Sequence, residues 1–77
     1  MIVRILLWSL FDSKSTIDEL REKLPPLPAP SAWLWSEGSE RFGVVAFGDE
    51  LPPAVREARD LIGAEPAVYE EFDVLAL

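Results

Sequence analysis

The sequence predicts an α+β domain: a four-stranded antiparallel sheet with two helices on one of its faces. Three observations lead there. Residues 2–10 and 41–47 are apolar at nearly every position, so both faces of each extended segment need cover. Two further segments, 16–24 and 52–63, carry apolar residues at helical spacing between recognisable start and stop signals. Read in order, the chain runs strand, helix, strand, strand, helix, strand, and its 77 residues make a single domain spanning 1–77.

The first segment, IVRILLWSL at 2–10, is rich in β-branched and large apolar residues and reads as a strand. After a short loop, Thr16-Ile17-Asp18-Glu19 forms a capping box, with the threonine hydroxyl at the helix start and the glutamate reaching back. Ile17, Leu20 and Leu24 then repeat on one helical side, and Pro25-Pro26 stops the helix, because a residue before proline avoids helical torsions. The stretch PPLPAP at 25–30 favours stiff polyproline II and reads as a rigid connector.

Ala32-Trp33-Leu34-Trp35 is expected to be the second strand, joined through the turn at 37–40 to a third at 41–47. Pro52-Pro53 opens the second helix, where a missing N–H is tolerated. Val55, Ala58, Leu61 and Ile62 form its apolar stripe, and Gly63 stands where a left-handed cap belongs. Residues 68–76 read as the last strand, with a helical turn as the alternative around 64–69. This order is the split βαβ, or ferredoxin-like, arrangement, with the first and third strands central. Glu70, Glu71 and Asp73 suit an edge strand, where charge discourages unwanted pairing.

Composition narrows the chemistry. With 14 acidic and 7 basic residues the net charge is −7, which repels a phosphate backbone. There is no cysteine and no histidine, so neither a thiolate nucleophile nor a nitrogen–sulfur metal site exists, and the six serines lack an imidazole to activate them. The four glycines are scattered and form no phosphate loop. No catalytic residue, metal or cofactor is expected. The start of the chain lacks the basic region and small-residue cleavage site of a secretory signal, and its apolar run is too short to span a bilayer. A cytoplasmic protein without membrane contact is therefore expected.

A sheet with helices on one face leaves the other bare. In the first strand Val3, Ile5, Leu7 and Ser9 share one face, and Arg4, Leu6, Trp8 and Leu10 the other. An arginine under helices is costly unless paired, so the Arg4 face is expected to be the open one. Trp33 and Trp35 point the same way as each other. From the third strand, either Phe42, Val44 and Ala46 or Val45 and Phe47 join them. Arg4, Leu6, Trp8, Leu10, Trp33 and Trp35 thus form the expected contact or ligand-binding set, tryptophan being enriched at interface hot spots. Against this, the small Ala58 in the second helix leaves room for a large ring beneath it.

Two resemblances follow from these residues. The stretch 40–47 is similar to the third-strand signature of RNA-recognition-motif domains at Phe42, Gly43, Val45 and Phe47. Glu40 stands at the basic position of that signature, Val44 at its middle aromatic, and Leu6 where the first strand carries a stacking ring. The chain also resembles the dimeric α+β barrel proteins in the character of residues 1–7 and 41–47. That family includes cofactor-free monooxygenases and stress-response proteins. This second resemblance implies pairing of two copies sheet to sheet and transfers no catalytic residue.

The function expected from the sequence is that of a small, non-catalytic interaction or accessory protein forming a homodimer through its open apolar face. The alternative is a protein or cofactor-free enzyme that encloses a small apolar ligand in a pocket lined by the tryptophans. Single-stranded nucleic-acid binding is a third reading, opposed by the acidic charge.

Overall fold

The structure, a computed structural model, describes residues 1–75. Its strands are β1 (Ile2–Ser9), β2 (Ala32–Ser36), β3 (Arg41–Phe47) and β4 (Val68–Asp73), and its helices are α1 (Ile17–Lys23) and α2 (Pro53–Ile62). The strands form one antiparallel sheet in the order β2-β3-β1-β4, so β1 and β3 take the centre as their apolar composition requires. A single 3₁₀ turn at Leu10–Asp12 follows β1.

The helix boundaries follow the local chemistry. Thr16 caps α1 through its hydroxyl, which accepts from the Glu19 N–H, while the Glu19 carboxylate accepts from the Thr16 N–H. Leu24 already has extended torsions (φ −82°, ψ 133°), as the following proline demands. At the far end of α2, Gly63 adopts φ 78°, and its N–H donates to the Arg59 carbonyl. The last carbonyls of α2 are met by the loop preceding α1: the Lys14 N–H donates to Ile62 O at 2.8 Å and Ser15 Oγ to Leu61 O at 2.6 Å.

A single buried cluster joins Leu6, Trp8, Phe42, Val44 and Ala46 of the sheet to Leu20 of α1 and Val55, Ala58 and Ile62 of α2. Leu10, Ile17, Leu24, Leu27, Trp33, Leu51, Leu61 and Ala64 pack around it. The connector at 25–30 is therefore held down through Leu27.

β4 is shorter than the sequence suggests. It ends at Asp73; Val74 and Leu75 lie beyond the strand, and Ala76 lies outside the described residues. Residues 64–67 form no helical turn. Pro66, which cannot donate in a helix, suits the extended approach to β4.

Candidate interaction surface

Register settles which side chains share a face. In the β1–β3 ladder Trp8 pairs with Phe42, Leu6 with Val44 and Arg4 with Ala46. These residues belong to the face that carries the buried cluster, with Arg4 at its margin. Leu7 opposite Gly43, Ile5 opposite Val45 and Val3 opposite Phe47 project from the second face. β2 adds Ala32 and Leu34 to the second face, and β4 adds Val68, Glu70 and Phe72.

The expected contact set is thereby corrected. Leu6 (0% exposed) and Trp8 (1%) are core residues and cannot meet a partner. Leu10 packs against the same core. The expectation failed at Arg4, which lies on the buried-cluster face because it is paired. Its Nε donates to Glu71 Oε1 at 3.2 Å, and its two terminal nitrogens donate to the carbonyls of Gly48 and Asp49. Each guanidinium nitrogen has a partner, so the arginine clamps the loop after β3 against β4 without an orphaned charge.

That clamp includes a third group. Tyr69 Oη donates to the same Glu71 oxygen at 2.8 Å. The tyrosine hydroxyl, and then Arg4, hold the Glu71 carboxyl below its ordinary value. The bond to Glu71 in turn raises the Tyr69 phenol and the Arg4 guanidinium. Arg4, Tyr69 and Glu71 form a tether between strands.

The tryptophans play distinct parts. Trp8 belongs to the same buried cluster as Ala58, and its Nε1 donates to Ala64 O at 2.9 Å, just past the end of α2. Trp33 lies on the buried-cluster face, stacks on Phe42 with ring centroids 5.5 Å apart, and donates to the Pro25 carbonyl at 2.9 Å. It thus pins the proline connector. Trp35 shares that face at the β2 edge and stays 39% exposed. No tryptophan lines the surface clefts beside Leu51–Arg59, beside Arg59–Glu65 or beside Pro28–Ser31, each of about 330 to 390 Å³. The sequence-based expectation of a tryptophan-lined pocket therefore finds no counterpart in these clefts.

The second face is the surface the sequence reading assigned to the wrong side chains. Val3, Ile5, Leu7, Leu34, Val45, Phe47, Val68 and Phe72 lie on it, and none belongs to the buried cluster or to the hydrophobic residues packed against it. Leu34, Val68 and Phe72 are 38%, 37% and 42% exposed. Gly43 keeps the centre flat: a Cβ there would meet the Leu6 carbonyl and come within 2.6 Å of a Leu7 methyl. One signal in the sequence pointed this way. Small Ala58 in α2 leaves room for a large ring beneath it, which points Trp8 inward and Ile5 and Leu7 to the opposite side.

Among the described residues no cluster of three or more acidic side chains is placed to hold a metal ion, and no helix is long and apolar enough to cross a membrane. No family model matches the chain, and a search of curated proteins finds no match either.

Proposed function

We propose that this chain is a small, non-catalytic interaction or accessory protein that works as a homodimer, two copies meeting through the second face of the sheet. In this reading the domain is ferredoxin-like, with both helices over the Leu6–Trp8 face, and it associates in the manner of the dimeric α+β barrel proteins. The observation that carries the proposal is the row of eight apolar side chains that lie outside the buried cluster on the opposite face of the sheet. Soluble monomers rarely leave contiguous apolar patches above a few hundred Å² in water.

Size supports a second copy as the occupant. Four strands about 4.8 Å apart, each with about six residues rising about 3.4 Å, give a flat footprint of about 400 Å². With side-chain relief, two copies bury about 1,000 Å² in total, the lower bound for a specific interface. Covering the face also aids a chain of 77 residues that has no disulfide to help it.

The test is Ile5→Lys. Ile5 sits at the centre of the face beside Glu70, which would receive the new ammonium, so the single chain should still fold. The expected result is a monomer with a native far-UV spectrum, with Leu34→Lys at the exposed β2 edge behaving alike. Dimers of unchanged affinity in both variants would refute the proposal.

A further inference from the structure

Among the described residues, the second face carries two charged side chains, Arg41 on β3 and Glu70 on β4, and their signs are opposite. Arg41 lies level with Ser9 and Ser36, and Glu70 lies level with Ile5. Both are exposed, and neither makes an ion pair or a side-chain hydrogen bond to a described residue, although Arg4, Lys23 and Arg59 all find carboxylates. They cannot reach each other within one chain. Glu70 is two strands across and four residues along from Arg41, so their Cα positions are about 16 Å apart.

We propose that Arg41 of one copy pairs with Glu70 of the other, and that the two equivalent pairs set the crossing angle of the dimer. This rests on the homodimer reading above. In a two-fold interface the same patch meets itself, so a contact from Arg41 to Glu70 is made twice. The two-fold axis of a face-to-face dimer lies in the plane between the sheets. From the centre of the face, near Ile5, Leu7, Gly43 and Val45, Arg41 lies mainly along the strand direction and Glu70 mainly across it. Their distances from that centre are similar, about 10 and about 8 Å. Only an axis at about 45° to the strands lays one position over the other, and that axis makes the two sheets cross at about 90°, the orthogonal class of sheet packing. An axis along or across the strands gives the aligned class and leaves each Arg41 far from either Glu70.

The pairs sit at the rim of an otherwise apolar contact, where charge selects orientation more than it adds affinity. They also reject a shifted or aligned arrangement, which would leave Glu70 against Leu, Val or Phe side chains without a counter-charge.

The experiment measures the dimer Kd by sedimentation equilibrium for the wild type, Arg41→Glu, Glu70→Arg and the double exchange, with circular dichroism confirming the fold of each. Each single reversal sets like charges together at two places and is expected to weaken the dimer at least about tenfold. The double exchange recreates both pairs and is expected to return to within about threefold of wild type. A dimer whose Kd ignores both reversals, or a double exchange as weak as the singles, overturns the pairing and leaves the homodimer standing. A wild-type chain that stays monomeric removes both.

Discussion

Trp8 is the side chain whose removal separates core from contact surface. It is 1% exposed, and its indole N–H bonds the Ala64 carbonyl at 2.9 Å. Trp8→Ala deletes the largest side chain of the buried cluster and opens a cavity between β1 and α2. Truncations of buried tryptophan cost about 3–5 kcal/mol. A domain of this size has about 5–15 kcal/mol in all, and small ones lie at the lower end. At about 4–8 °C per kcal/mol, the midpoint of thermal unfolding should fall by more than about 12 °C. Trp8→Phe keeps most of the ring but leaves the Ala64 carbonyl without its donor, an intermediate loss of about 1–3 kcal/mol. Chemical denaturation followed by circular dichroism, at several protein concentrations, reads both. The expected pattern is a loss of stability present at every concentration. A Trp8→Ala chain with an unchanged midpoint but a weaker self-association would return Trp8 to the contact surface and refute the face assignment.

Two further predictions test the surroundings of the face. Gly43→Ala drives a methyl group into the β1 backbone and the Leu7 side chain, and denaturation should show a loss of about 1–3 kcal/mol, whereas Gly38→Ala, with open space around it, should stay within about 0.5 kcal/mol. Glu71 titrates below its ordinary value of 4.5 when folded, so its contribution to stability is present above that pH and is lost as the pH falls through the lower folded value. Glu71→Gln should therefore lower the unfolding midpoint at neutral pH, with the gap to wild type closing in acid; a gap independent of pH would show that the carboxylate charge is not what Tyr69 and Arg4 hold.

Element order and helix caps were legible in the sequence because each depends on neighbours in the chain, and the central position of β1 and β3 because both strands are apolar on their two faces. The Thr16–Glu19 box, the Pro25 stop and the Gly63 cap all act over a few residues. Which face each strand presents was not legible, because it depends on partners far away in sequence. Arg4 was read as too costly to place with the core, yet Glu71 and the carbonyls of Gly48 and Asp49, 44 to 67 residues on, satisfy it there. Strand side chains alternate with period two, so one misplaced residue inverts the whole face. That inversion predicts Leu6 and Trp8 outward, whereas the outward side chains of β1 are Val3, Ile5 and Leu7. The apolar character of both faces, on which the idea of a covering partner rests, does not depend on that phase.

Sedimentation equilibrium of the wild-type chain, from low micromolar concentration upward, addresses the covering of the second face most directly. A homodimer through that face gives twice the 8.6 kDa chain mass, collapsing to the single-chain mass in Ile5→Lys. A wild-type mass of 8.6 kDa at every concentration up to about 100 μM, where even a weak dimer of about 10 μM Kd would be mostly assembled, would contradict it.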